Sequence, residues 1–133
     1  PEYVMTRNPT SPRREAQDID AAVAIARRHD ADGVVAVCEV KHHLYWTRAI
    51  TPDGRLTTAV PTDRPYESRQ DLPPMYALTG AIFLVKTAVQ LAIRNYYTDR
   101  TYAYVMPQER ALDVDTPWDL RVLEALLGAE GRG

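Results

Sequence analysis

"REAQDIDAAVAIARRHDADGVVAVCEV", residues 14–40, sets the fold class. Ile19, Ala22, Val23 and Ala26 recur at i, i+3, i+4 and i+7, which is one apolar stripe along a helix. Arg27 and Arg28 close that helix where its dipole is negative. "GVVAVCEV" (33–40) follows almost at once, a continuous apolar and β-branched run of the kind found in a strand covered on both faces. A helix feeding a buried strand is the building unit of an α/β sheet.

The flanks extend the pattern. Upstream, "EYVMTRNPTSPRR" predicts a short strand, Tyr3 to Thr6, ending in a Pro/Ser/Thr loop. Downstream, "HHLYWTRAITPDGRLTTAV" predicts two short strands about a Pro52–Gly54 turn. Residues 61–75 carry four prolines and read as a long polar loop or arm, a class of segment that is usually functional or interfacial. "YALTGAIFLV" is a further buried strand, "KTAVQLAIRN" a short helix, and "YAYVM" a strand. In "TPWDLRVLEALL" Thr116 caps a helix, Pro117 takes its first turn and Asp119 completes the box, with Leu120, Leu123 and Leu127 expected to face the core. Alternating strands and helices predict one α/β domain over 1–133 with a mainly parallel sheet.

With 133 residues the chain can bury a real core, and 45% hydrophobic and 26% charged residues are ordinary for a globular protein. A net charge of -2 argues against non-specific nucleic-acid binding, which requires a basic surface. No apolar run approaches the roughly 20 residues of a membrane span. The single cysteine, Cys38, excludes an internal disulfide framework and fits a reducing, cytoplasmic setting. The chain opens at Pro1-Glu2 directly into a strand, which suits a fragment, a processed chain or one half of a split protein.

The chemistry concentrates in "RALDVDTPWDL" (110–120). In an extended segment Asp113 and Asp115 point to the same side, with Val114 turned to the core. Two neighbouring carboxylates raise each other's pKa unless a cation lies between them. Magnesium takes one or two protein carboxylates and leaves its other positions to water and phosphate. An Asp-x-Asp triplet is also commonly a pair of solvated turn residues. His42 and His43 with Cys38 lack a fourth ligand and the spacing of a zinc site. Cys38, within an apolar strand, reads as a core residue.

Read in order, "NPTSPRR" (8–14), "RQDLPPMYALTGAIFLV" (69–85) and "MPQERALDVDTPWDL" (106–120) resemble the successive signatures of the acylneuraminate cytidylyltransferase family. The family patterns are Gln-Pro-Thr-Ser-Pro-Leu-Arg, then Arg-Gln with a Pro-rich step before Asn-Gly-Ala-Ile-Tyr, then Met-Pro and Asp-Ile-Asp-Thr. The resemblance implies a Rossmann-like nucleotidyltransferase sheet with a protruding dimerisation arm, here about residues 42–75. His42, His43 and Trp46 would mark the strand entering that arm. It implies a reaction in which the anomeric hydroxyl of a sialic-acid-like sugar acid attacks the α-phosphate of CTP and releases pyrophosphate, with Mg2+. By the same resemblance Asp113 and Asp115 correspond to the metal-binding pair. Arg69 corresponds to an arm arginine that approaches the sugar site, often of the neighbouring subunit.

Asn8, Thr79 and Phe83 fall where the family has sugar-contacting Gln, Asn and Tyr, and Tyr96 and Tyr97 where it has an aromatic pair walling the acyl pocket. Each of the first three substitutions removes reach or a hydrogen-bonding group. The family's opening half-domain, with its Gly-Ser-Lys phosphate loop, has no counterpart in these residues, whose six glycines are scattered. Two expectations follow. One is a cytidylyltransferase acting as a homodimer or with a separate chain that supplies the missing half. The other is a non-catalytic remnant that dimerises or binds a sugar acid. Neither involves nucleic acid or a membrane. An unpaired sheet edge is expected to be covered by another copy, the arm or a second chain.

Overall fold

The computed structural model describes residues 1–62, 68–94 and 97–131. In chain order the elements are β1 (Tyr3–Thr6), α1 (Ala16–His29), β2 (Gly33–Glu39), β3 (Arg48–Ile50), β4 (Leu56–Thr58), β5 (Tyr76–Lys86), α2 (Thr87–Ile93), β6 (Thr101–Val105) and α3 (Pro117–Glu130). Single helical turns stand at Leu44–Trp46, Arg69–Asp71 and Gln108–Arg110. The chain divides into two compact units, one of residues 1–38 with 78–133 and one of residues 39–77.

The larger unit holds a four-stranded sheet in the order β1-β5-β2-β6. β1 pairs antiparallel with β5, Tyr3 opposite Lys86 and Thr6 opposite Phe83. β2 pairs parallel with β6, Gly33 opposite Thr101 and Val37 opposite Val105. β5 runs against β2: Lys86 at its end donates to the Asp32 carbonyl just before β2, at 2.8 Å, while Thr79 near its start reaches the Ala36 carbonyl at 3.4 Å. So β1, β2 and β6 share one direction and β5 alone opposes them.

The expected mainly parallel, Rossmann-like sheet is therefore corrected: among the described strands the sheet is mixed, and β2–β6 is its parallel pair. The cause lies in the connections. α1 spans the way from β1 to β2 as a crossover helix must between co-directional strands. After β2 the chain instead leaves through residues 39–77, whose described residues form no α-helix, and re-enters as β5. The reversed strand then seats between β1 and β2 and turns both contacts antiparallel.

Helix α1 follows its sequence closely. Ala22 and Ala26 are wholly buried, and Ile19 and Val23 pack at the edge of the same core. Small side chains at the centre of the stripe let the helix pack closely on the sheet, where Ala31, Val34, Ala36, Ala81, Ile82 and Leu84 share the core with Met106. The helix ends at Asp30 in the left-handed region (φ 46), with Ala31 N–H bonded back to the Ala26 carbonyl at 2.9 Å. Tyr3 from β1 ties the same corner, its hydroxyl donating to the Ala31 carbonyl at 2.9 Å.

Helix α3 departs from expectation. Its cap forms as read, Thr116 accepting from Asp119 N–H at 3.2 Å. Yet Leu120 and Leu127 are about half exposed, and Leu123 is only half-buried. Trp118, Leu120, Val122, Leu123, Leu126 and Leu127 spread around much of the circumference, so no single stripe can bury them all.

The smaller unit is a hairpin with its flanking turns. β3 and β4 pair antiparallel, Ile50 opposite Leu56, about a turn in which Gly54 has φ 91. Both apolar residues of that pair are more than two-thirds exposed. Among the described residues no helix is long and apolar enough to cross a membrane.

Candidate functional site

The site sits at the carboxyl ends of β1, β2 and β6, where open α/β sheets commonly place ligands. Two irregular segments meet there. The first is the loop after β1, residues 7–14. Asn8 N–H bonds the Gly80 carbonyl at 3.4 Å, and Arg14 donates to the Ala81 carbonyl at 2.8 Å, so the loop is pinned over the start of β5. Gly80 is required at this crossing. Its φ of 73 disfavours any side chain, and a methyl group there would stand 2.8 Å from Asn8 Nδ2.

The second segment, residues 111–116, follows β6 and carries Asp113 and Asp115. Val114 N–H bonds the Thr10 carbonyl at 2.7 Å, which joins it to the first loop. At its far end Asp119 accepts from the N–H groups of Asp115 (3.1 Å) and Thr116 (2.9 Å), and from the Thr116 hydroxyl (2.8 Å). Those bonds hold the Asp119 carboxyl below the usual carboxylate range, the Thr116 hydroxyl foremost.

Asp113 and Asp115 face one another electrically. The Asp113 charge, more than any desolvation, pushes the Asp115 carboxyl above the usual range. Asp113 Oδ1 is buried with no hydrogen-bond partner among the described residues, as is Ser11 Oγ in the adjoining loop. A buried carboxylate oxygen without a donor is costly, and a second carboxylate beside it makes it more so. A hard divalent cation satisfies both demands, so the residues present fit magnesium. Among the described residues no cluster of three or more His, Cys, Asp or Glu could hold a metal, so water and phosphate oxygens would fill the remaining positions.

The other candidates are distributed unevenly. Asn8 lies beside Gly80 and close along the chain to Thr10, hence near the carboxylate pair. Phe83 is half-buried opposite Thr6. Thr79 is buried, and its hydroxyl is directed into the sheet, donating to the Ala36 carbonyl and accepting from Ala81 N–H at 3.1 Å. Tyr97 is about half exposed at the opposite end of the sheet, next to Thr98, whose hydroxyl bonds Asp32 ahead of β2. The chain therefore does not bring Tyr97 to the aspartate pair. Tyr96 lies outside the described residues.

Arg69 belongs to the smaller unit. There it bounds a small pocket with Glu39, His43, Leu72 and Met75, donates to the Lys41 carbonyl and lies 5.7 Å from the centre of the Trp46 ring. His43 is buried and bridges the unit, accepting from Tyr45 N–H at 3.2 Å and meeting the Pro73 carbonyl at 2.8 Å. It is a structural clamp. Cys38 is half-buried at the end of β2.

Sequence reasoning passed over one group. Asp18 of α1 is fully buried and accepts from Tyr104 Oη (2.6 Å), Arg110 Nη2 (2.9 Å) and Glu15 N–H (2.8 Å). Burial opposes its ionisation, but the Arg110, Tyr104 and Glu15 hydrogen bonds outweigh it and keep the carboxyl below the usual range. Arg110 is correspondingly raised by Asp18, and Tyr104 is raised by burial and by Asp18. The signal was available: Asp18 stands four residues before Ala22, on the buried side of the helix, and a carboxylate there requires a cation.

No protein-family model matches the chain. Over 107 residues, 80% of the chain, it is 39% identical to the N-acylneuraminate cytidylyltransferases of Streptococcus agalactiae serotypes V and III. Over 118 residues it is 21% identical to post-translational flagellin modification protein B of Campylobacter coli. The chain spans about a quarter of the length of the streptococcal relatives (26%) and 49% of the Campylobacter one. Over the matched segment the chain is homologous to a portion of the N-acylneuraminate cytidylyltransferases.

Proposed function

We propose that this chain supplies the metal-binding and sugar-acid side of a cytidylyltransferase that transfers CMP from CTP to a sialic-acid-like sugar acid. The observation that carries the reading is the buried, unpartnered Asp113 Oδ1 beside Asp115, at the carboxyl ends of three co-directional strands. Magnesium, when bound there, would neutralise charge on the phosphate oxygens during displacement of pyrophosphate. Asp113 and Asp115 would hold it. The Asn8 loop, pinned across Gly80, would orient the sugar so that its anomeric hydroxyl lines up with the α-phosphorus. Arg69 would fork onto the sugar carboxylate of a neighbouring protomer, in a homodimer built on the 39–77 unit. The phosphate loop and cytosine pocket would come from the remainder of the relatives' length, on the same polypeptide or a separate chain.

One observation favours a second reading, a dimerising or sugar-acid-binding remnant without chemistry. The Thr79 hydroxyl is spent within the sheet, and Phe83 has no hydroxyl, so two family contacts lack donors facing outward. Pyrophosphate release from CTP, N-acetylneuraminate and Mg2+ distinguishes the two. The natural full-length product, with any partner that co-purifies, should turn over, and Asp113→Asn should abolish turnover while leaving the fold intact. Sugar-acid binding without turnover supports the remnant.

A further inference from the structure

We propose that Arg110 is a positioning residue. Its fork on buried Asp18 holds the irregular segment 111–115 in the shape that presents Asp113 and Asp115 on one side. This rests on the cation reading above and deepens it.

Two neighbouring carboxylates repel, and residues 111–115 belong to no helix or strand that could resist them. Their geometry must come from tethers. Downstream the Thr116/Asp119 cap fixes Asp115, and at the centre Val114 is held by the Thr10 carbonyl. Upstream the Ala111 N–H bonds the Gln108 carbonyl at 3.2 Å, and Arg110 adds a side-chain anchor. Its Nη2 and Nε both meet the Asp18 carboxylate, at 2.9 Å and 3.2 Å, three residues before Asp113. The anchor point is rigid. Asp18 is wholly buried in α1, one turn from wholly buried Ala22, and Tyr104 of β6 bonds the same carboxylate. One carboxylate thus joins helix, sheet and the segment that carries Asp113 and Asp115. A guanidinium suits the task because its planar fork fixes direction as well as distance, which an ammonium does not.

A merely stabilising ion pair would make different predictions, and Arg110→Lys separates them, since it keeps the charge that Asp18 needs. Hydrogen exchange at the Val114 amide reads the segment, exchange at β2 amides reads the whole fold, and Mn2+ binding followed by electron paramagnetic resonance reads the carboxylate pair. Arg110→Lys should speed Val114 exchange and weaken Mn2+ binding, each by about tenfold, with β2 protection nearly unchanged, in the range seen when groups that orient metal ligands are altered. Asp18→Asn/Arg110→Gln, which removes the buried charges together, should do the same in a folded protein. Val114 exchange that slackens only in step with β2 would overturn the proposal. If the wild type binds no Mn2+ while Val114 still loosens selectively, the cation reading fails and the positioning role of Arg110 stands.

Discussion

Removing the Asp18 carboxylate should cost a large part of this protein's stability. In Asp18→Ala the Arg110 guanidinium loses its partner, Tyr104 its acceptor and the Glu15 N–H its cap. Breaking a buried ion pair from one side costs about 3–5 kcal/mol, and losing a capping contact about 1 kcal/mol. The Arg110 side chain is 21% exposed, so the freed guanidinium recovers part of its hydration and the lower end of that range applies. A net loss of about 3 kcal/mol compares with a typical total of roughly 5–15 kcal/mol. Urea unfolding measures it directly: with a slope of about 1–3 kcal/mol per molar, the midpoint should fall by about 1 M or more. A loss below about 1 kcal/mol would refute the reasoning, because it would mean that Arg110 and Tyr104 find equal partners elsewhere.

The same carboxylate sets a pH dependence. Because its folded pKa lies below the unfolded value, its contribution is complete above about pH 4, and is lost as pH falls through the folded pKa. Acid titration of stability should therefore be steeper in the wild type than in Asp18→Asn. Asp115 carries the opposite sign: its raised pKa means that ionising it costs folding stability, so Asp113→Asn should lower the Asp115 titration seen by carboxyl NMR and flatten that cost. Gly80→Ala, at φ 73 and against Asn8, should lose about 1–2 kcal/mol in the same urea assay. Ile82→Ala empties a fully buried site and should lose about 2–5 kcal/mol.

Local elements were legible because local rules decide them. The i, i+3, i+4 spacing of α1, the Thr116 cap and the Pro52–Gly54 turn all formed where propensity and spacing put them. Strand direction was not legible. An apolar run such as "YALTGAIFLV" packs equally well in either orientation, and its sense follows from the path of residues 39–77. The α3 leucines misled because six apolar positions on one helix do not say which face meets a sheet. At the site, the spacing of Asp113 and Asp115 was readable, while the hold on their segment was not. Asp18 and Arg110 lie 92 residues apart, and only the buried position of a charge on α1 hinted that a partner must exist.

Diffraction from crystals soaked in Mn2+, recorded for its anomalous signal, would show the cation itself. One peak is expected between the Asp113 and Asp115 carboxylates, with oxygen contacts of about 2.1 Å, close to those of Mg2+. A map without that peak, or carboxylates turned apart onto protein donors, would contradict the cation reading.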